Sequence, residues 1–135
     1  MSDTSLRGAR ILVVDDILAI RKVLRRILEQ AGAEVIEAGS GEEVLQITAV
    51  QEFDLVLLDV GLPGMDGFSV CDALRASPRT AKLPVVVVTG MSDSSHHAEA
   101  LGHGADDFVA KPLLPAVILA RVGNLVRRHK AEIEN

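Results

Sequence analysis

The sequence predicts a doubly wound α/β domain, with a five-stranded parallel sheet flanked by five helices. Short aliphatic runs alternate five times with stretches whose apolar residues recur at helical spacing. The runs start near positions 10, 33, 54, 84 and 106, which is the spacing of a repeated strand and helix. At 135 residues, the chain suits one domain and is too short for a closed eight-stranded barrel.

Four of the aliphatic runs are predicted to be buried parallel strands, because they are continuous and rich in β-branched residues. They read RILVV (10–14), DLVLLD (54–59), PVVVVTG (84–90) and DDFVAK (106–111). The fifth run, AEVIEA (33–38), alternates more in polarity, which favours a strand at an edge of the sheet.

The helices are indicated by apolar periodicity and by residues typical of helix ends. Residues 18–31 form the first, and Gly32 suits the position just after it. Ser40 and Glu43 have the spacing of a capping box at the start of the second. Pro115 is predicted to open the fifth helix. The third, fourth and fifth helices are predicted over about 67–76, 94–103 and 115–130.

Composition excludes several classes of protein. The chain is 48% hydrophobic and 24% charged, as expected of a globular domain. Its net charge of -5 argues against direct binding to nucleic acid, which requires a basic surface. The single cysteine, Cys71, cannot form an internal disulfide and favours a reducing compartment. There is no signal peptide pattern and no apolar run near the ~18 residues of a membrane helix, so we expect a cytoplasmic location without membrane contact.

Polar side chains follow the predicted strands at the point where each leaves the sheet. Asp15 and Asp16 follow the first strand, Asp59 ends the third, Thr89 lies at the end of the fourth and Lys111 at the end of the fifth. Ligands of open parallel sheets bind at this edge, so these side chains are expected to converge. Two charges 4 Å apart repel by ~1 kcal/mol in water and ~4 kcal/mol at an effective dielectric of 20, so clustered carboxylates call for a cation.

Oxygen ligands of this kind suit Mg²⁺, which is often shared between carboxylates and phosphate oxygens. A carboxylate beside Mg²⁺ and a lysine can attack phosphorus, because the cations neutralise charge on the transferred group. The hydroxyl of Thr89 could donate a hydrogen bond to a phosphoryl oxygen. The strand ends therefore indicate phosphoryl-transfer chemistry.

The segments VVDD, LLDVGLPGMDGF, VVVVTG and ADDFVAKP, in this order and spacing, closely resemble the receiver domain of two-component response regulators. The resemblance covers about residues 8–128. It implies a flavodoxin-like sheet with strand order 2-1-3-4-5. We expect a receiver domain over residues 1–130, followed by a helical tail or the start of a linker over 131–135.

The resemblance also implies the role of each carboxylate. Asp59 would be the phosphoacceptor, and a histidine kinase or a phosphotransfer protein would phosphorylate it. Mg²⁺ would be bound by Asp16 directly, by Asp15 largely through water, by Asp59, and by the main-chain carbonyl of Gly61. The chain would catalyse only its own phosphorylation and dephosphorylation. The PGMDG turn (63–67) would shape the loop after Asp59.

Further roles follow from the same resemblance. Thr89 would be the switch hydroxyl and Lys111 the ion-pair partner of the phosphoryl group, with a cis bond to Pro112. Phe108 would be the second switch residue, although relatives often have tyrosine there. Gly61 is often a larger residue in relatives, so the mouth of this site would be more open.

Two other classes with a similar sheet fit less well. A haloacid-dehalogenase-like phosphatase would have a second aspartate two positions after the nucleophile, where this chain has Gly61. A flavodoxin-like cofactor carrier would have a phosphate-binding loop rich in serine and threonine, with aromatic residues around the flavin. Here the loop after the first strand is acidic.

The segments FSVCDALRASPRTAKLPVVVVTG and LARVGNLVRRHK resemble receivers fused to a cyclic-dinucleotide synthase of the diguanylate cyclase type. They favour an N-terminal module with a C-terminal effector domain. The alternative is a stand-alone receiver that shuttles phosphoryl groups in a phosphorelay or binds a partner directly. The ending KAEIEN has few apolar positions, which predicts a frayed helix and a monomer or weak homodimer.

Overall fold

The computed structural model describes residues 5–90 and 94–134, except the side chains of 94–97 and 134. All ten predicted elements are present within these ranges. They are β1 (Arg10–Val14), α1 (Leu18–Gln30), β2 (Glu34–Ala38), α2 (Gly41–Val50), β3 (Leu55–Asp59), α3 (Gly67–Ala76), β4 (Val85–Thr89), α4 (Ser94–Gly102), β5 (Asp107–Ala110) and α5 (Pro115–Glu134).

The five strands form one parallel sheet in the order β2-β1-β3-β4-β5, which confirms the expected topology. β2 lies at an edge, as its alternating sequence predicted. The chain adds β2 on one side of β1 and then crosses to add β3, β4 and β5 on the other side. The topological switch point therefore lies between β1 and β3, which are neighbours in the sheet. In the register of this pair, Val14 lies opposite Leu58, so the residues that follow β1 and those that end β3 meet at one edge.

The core is aliphatic and has two layers, one on each face of the sheet. Alternate strand residues face opposite layers, as in any pleated strand. One layer joins β1 to α1 and α5, through residues that include Ile11, Val13, Leu24, Leu28, Ile118 and Val122. The other joins it to α2, α3 and α4, through residues that include Leu12, Val14, Val44, Val70, Leu74 and Ala100. Because both faces are covered, the polar residues of the central strands concentrate at their ends.

The helix ends mostly follow the predictions. Gly32 has a φ of 105°, which suits a glycine just after a helix. The Ser40 hydroxyl accepts a hydrogen bond from the Glu43 N–H at 3.2 Å. The Glu43 carboxylate, however, accepts from the N–H of Gly39 at 2.7 Å, one residue before its partner in a capping box. Pro115 opens α5 as expected.

α5 continues to Glu134, past the end predicted near residue 130 and into the segment expected to be a helical tail or the start of a linker. Ala131 and Glu132 are good helix formers, and Lys130 fixes the preceding turn by donating to the carbonyl of Gly8 at 3.2 Å. Even so, no helix in the described ranges is both long enough and apolar enough to cross a membrane.

Candidate functional site

Three carboxylates meet at the carboxyl edge of the sheet. Asp15 and Asp16 follow the last residue of β1, and Asp59 is the last residue of the adjacent strand β3. One oxygen of each lies within 4.8 Å of the others. Asp15 is fully buried and Asp59 is 8% exposed, whereas Asp16 is open to solvent. The cluster therefore has a buried floor and an open mouth.

Asp15 is held firmly but is left with one unsatisfied oxygen. Its Oδ1 accepts a hydrogen bond from the Ile17 N–H at 2.9 Å, and its backbone carbonyl accepts from Arg21 Nη1 at 2.7 Å. Its Oδ2 is buried and has no hydrogen-bond partner among the described residues. A buried carboxylate oxygen without a partner is costly, and oxygen donors of this kind are what Mg²⁺ prefers. The residues present therefore fit a divalent cation.

The electrostatics of Asp59 point in the same direction. Burial raises the pKa of its carboxyl, and the neighbouring charge of Asp15 raises that pKa further. A hydrogen bond from the backbone of Gly61 and the positive charge of Lys111 oppose the shift. The ionised carboxylate is therefore short of positive charge in the protein alone, and a bound cation would supply it.

Thr89 and Lys111 lie at the carboxyl ends of the next two strands, since Thr89 is the last residue of β4 and Lys111 follows the last residue of β5. Thr89 ends β4, is 4% exposed, and its carbonyl accepts a hydrogen bond from the Lys111 N–H at 2.9 Å. The Lys111 side chain passes Gly90, where an added Cβ would lie 3.9 Å from its Cδ. The bond from Lys111 to Pro112 is cis, as the resemblance implied.

Phe108 lies on the same face of the sheet as Thr89. It is partly buried, and its register partner Val87 is two residues before Thr89. The guanidinium of Arg121 lies 5.8 Å from the centre of the Phe108 ring. The Asp107 carboxylate accepts from the Phe108 N–H at 2.8 Å and from Arg121 Nη1 at 3.1 Å. The Phe108 ring of β5 therefore lies next to a charged side chain of α5.

The first residue of α3, Gly67, has an importance that the sequence did not reveal. A Cβ added to Gly67 would lie 2.7 Å from the backbone oxygen of Asp59 and 2.8 Å from the Cα of Val60. The Gly67 N–H also donates to the Val60 carbonyl at 3.1 Å. α3 therefore starts directly against the backbone of the central carboxylate. The turn sequence around Gly67 was the available signal, but it did not indicate this close approach.

Residues 11–123 match the family described as response regulator receiver domain. Transcriptional regulatory protein GltR of Pseudomonas aeruginosa is 40% identical over 124 residues, which cover 92% of this chain and 51% of that protein. Response regulator PleD of Caulobacter vibrioides is 42% identical over 120 residues, which cover 89% of this chain and 26% of that protein. The chain thus spans about half, or less, of the length of these curated relatives.

Solved structures agree with these sequence matches. A proposed response regulator from Chloroflexus aurantiacus superposes with a TM-score of 0.87 at 37% identity, covering 90% of this chain and all of that one. The receiver domain of sensor histidine kinase PA1611 from Pseudomonas aeruginosa, solved with a magnesium ion in its active-site cleft, has a TM-score of 0.83 at 25% identity, covering 89% and 98%. Sequence and fold together show that this chain belongs to the response regulator receiver domain family.

Proposed function

We propose that the chain is a phosphorylation switch in which Asp59 accepts a phosphoryl group from a histidine kinase or a phosphotransfer protein. The observation that carries this proposal is the meeting of three carboxylate oxygens within 4.8 Å at the edge where β1 and β3 end. Membership of the receiver family supports it.

The site has the ligands for Mg²⁺. Asp15, Asp16, Asp59 and the main-chain carbonyl of Gly61 would hold the ion, and the unsatisfied Oδ2 of Asp15 supports this assignment. The magnesium ion in the PA1611 receiver is further support. When bound, Mg²⁺ supplies a Lewis acid that neutralises charge on the transferred phosphoryl oxygens.

The chain's own residues would perform the transfer. An oxygen of the Asp59 carboxylate forms a bond to phosphorus while the bond from phosphorus to the donor histidine nitrogen breaks, and that nitrogen keeps the electron pair. The ammonium of Lys111 pairs with the new phosphoryl group, and the Thr89 hydroxyl donates to one of its oxygens. Hydrolysis of the acyl phosphate at the same site returns Asp59 to its free form.

Phosphorylation would be transmitted through Thr89 and Phe108. Movement of the Thr89 hydroxyl towards the phosphoryl group vacates space on the face of the sheet that the two residues share. Phe108 then moves into this space and changes the surface formed by α4, β5 and α5. The switch is a shift between two populations, biased by the new contacts at the phosphoryl group.

The output is proposed to lie in an effector domain of a longer protein, with a cyclic-dinucleotide synthase as the first candidate. The chain spans only 26% of PleD and 51% of GltR, which supports a module within a larger regulator. If the effector is instead a transcriptional one, contact with DNA would belong to that domain, because this chain has a net charge of -5. A stand-alone receiver that passes phosphoryl groups on or binds a partner is the alternative.

The assignment of Asp59 is tested with radiolabelled acetyl phosphate and Mg²⁺. Wild-type protein should incorporate label, and Asp59→Asn should incorporate none, because an amide is a poor nucleophile. Asp72→Asn is the matched control, since Asp72 is an exposed carboxylate on α3 outside the cluster. Labelling of the Asp59→Asn protein at the wild-type rate would refute the assignment.

The switch is tested separately with Thr89→Ala. This variant should still be phosphorylated, because Asp59 and the metal ligands remain. It should lose most of the phosphorylation-induced changes in the NMR signals of residues 92–118, of which 92 and 93 lie outside the described residues. A full set of changes in the variant would show that Thr89 does not transmit the signal.

A further inference from the structure

A second cavity lies at the amino edge of the sheet, at the opposite end of the strands from Asp59. Its volume is about 570 Å³. Its walls come from the starts of β1 and β2, the end of α2 and the turn before β3, the loop between α3 and β4, and the end of α5. Small-molecule sites have volumes of roughly 300–1,000 Å³, so this cavity has a suitable size.

One side of the cavity is apolar and rigid. Phe53 and Leu83 line it, and each is 7% exposed. The Arg10 guanidinium lies 5.0 Å from the centre of the Phe53 ring. Arg10 is held there by the Glu34 carboxylate at 3.3 Å and by the Glu52 carbonyl at 3.1 Å. The aromatic ring is therefore fixed by its own contacts, and only the small exposed part of it lines the cavity.

A second side carries positive charge that the protein does not neutralise. Arg79 and Lys82 line the cavity, and neither has an ion pair within the described ranges. Arg79 donates from Nε to the Thr48 carbonyl at 2.8 Å, which anchors its guanidinium. Its two terminal nitrogens have no hydrogen-bond partner in the described part of the chain. A guanidinium that is anchored through Nε and has both terminal nitrogens available as donors is well suited to bind an anion.

Two of the three acidic residues that line the cavity form ion pairs with basic residues. Glu34 pairs with Arg10. Asp54 accepts a hydrogen bond from the Arg10 backbone N–H at 2.8 Å and lies 3.8 Å from the Lys130 ammonium. Glu52 is exposed at the rim and has no ion pair within the described ranges. The local balance of unpaired charge is therefore positive, in a protein whose overall net charge is -5.

The last turns of α5 cover part of this cavity. Ile133 lines it although its side chain is 67% exposed, which leaves an apolar surface available to a ligand. Lys130, one turn earlier, fixes the helix through its hydrogen bond to the Gly8 carbonyl. A bound molecule would thus contact the rigid edge of the sheet and the end of α5 at the same time.

We propose that this cavity binds a small organic anion with a flat apolar body, such as an aromatic carboxylate or sulfonate. The body lies against Phe53 and Leu83 beneath Ile133, and the anionic group lies at Arg79 and Lys82. Binding stabilises the last turns of α5. This site is independent of phosphoryl chemistry at Asp59.

The test is an NMR titration of the full chain with 8-anilinonaphthalene-1-sulfonate, an aromatic sulfonate. We expect saturable shifts at the amides of Phe53, Leu83 and Ile133, with a single affinity. N-phenyl-1-naphthylamine has the same apolar body without the sulfonate and should bind about tenfold more weakly, since it forms no charged hydrogen bonds. Equal binding of the neutral compound, or shifts confined to other regions, would overturn the proposal.

Variants give a second and independent measurement. Replacing Arg79 and Lys82 together by glutamine should weaken binding of the sulfonate about tenfold or more. Replacing Lys22 and Arg26 by glutamine removes the same two charges from the exposed surface of α1 and should leave binding unchanged. Wild-type affinity in the first double variant, or an equal loss in both, would contradict a site at the cavity. The comparison of the two compounds on wild-type protein remains decisive if a variant fails to fold.

Discussion

The Asp59 carboxylate is a buried charge that the fold tolerates without fully compensating it. Burial and the charge of Asp15 raise its pKa above the ordinary value of 3.8, so the native state binds a proton here more tightly than the unfolded chain does. The stabilising effect of that proton is fully present below pH 3.8 and is lost as the pH rises through the raised native pKa. Near neutral pH, the ionised carboxylate therefore destabilises the native state.

This predicts that Asp59→Asn will melt a few degrees higher than wild type at pH 7 without metal, because an amide carries no charge to bury. The difference should shrink as the pH is lowered through the raised native pKa of Asp59, where the wild-type carboxyl takes up its proton. Thermal melts at several pH values measure it. An advantage of the variant that grew on acidification would contradict the charge explanation.

A second prediction at this scale concerns the unsatisfied Oδ2 of Asp15. Mg²⁺ should raise the melting temperature, since a ligand that binds only the native state adds about 2.7 kcal/mol at one hundred times its dissociation constant. Asp15→Asn and Asp16→Asn should lose most of this rise, whereas the exposed Asp72→Asn should keep it. The melts are compared at matched ionic strength with NaCl. A rise of equal size in NaCl would mean that screening, rather than a metal site, is responsible.

Among the elements, α3 is joined to two neighbouring loops by the side chain of Arg75. This side chain donates to the carbonyls of Leu83 and Gly104 at 2.7 and 2.9 Å and to the Asp106 carboxylate at 2.9 Å. One residue thus holds the loop before β4 and the loop before β5, which both lie at the amino edge of the sheet.

Arg75→Ala should lower the free energy of unfolding by about 2–3 kcal/mol, because several partly buried carbonyls would lose a charged donor at once. Denaturant titration measures the change. Arg26→Ala, on the exposed side of α1, is the control and should stay within about 0.5 kcal/mol of wild type. A loss no larger than that of the control would mean that solvent replaces Arg75 at these carbonyls.

The elements also show what the sequence could and could not predict. The strands and helices were predictable because aliphatic periodicity, Gly32 and Pro115 are local signals. The role of Arg75 was not, since its partners Gly104 and Asp106 lie 29 and 31 positions away and are brought near only by the fold. The sequence left open whether 131–135 is a helical tail or the start of a linker, because the contact of Lys130 with Gly8 spans 122 positions.

The same distinction applies to the carboxylate cluster. That Asp15, Asp16 and Asp59 would converge followed from the rule that parallel strands end at one edge. The orphaned oxygen of Asp15 and the contact of Gly67 with the Asp59 backbone did not, because both depend on packing within a few ångströms. Sequence thus indicated which groups would meet, and the structure showed how each is held.

Considered as a whole, the molecule has its carboxylate cluster at one edge of the sheet and a cavity at the other. Buried strands separate the two, so a ligand at the amino edge has no direct contact with Asp59. α5 packs along the sheet through Ile118 and Val122 and reaches the amino edge with its last turns. This helix is therefore the element that the proposed switch surface and the cavity share.

The last prediction concerns where the receiver domain ends along α5. We propose that residues up to 130 are sufficient for the fold. Leu125 and Val126 are buried in the core, and Lys130 contacts Gly8, whereas 131–133 are exposed.

Deleting 131–135 should therefore change the free energy of unfolding by less than about 1 kcal/mol, as for other exposed positions. Deleting 124–135 should cost about 2–5 kcal/mol, because it removes buried apolar side chains from the layer shared with α1. Denaturant titration of both truncations measures the difference. A large loss on removal of 131–135 alone would place the end of the domain beyond Lys130 and make the final turn of α5 part of the folded unit.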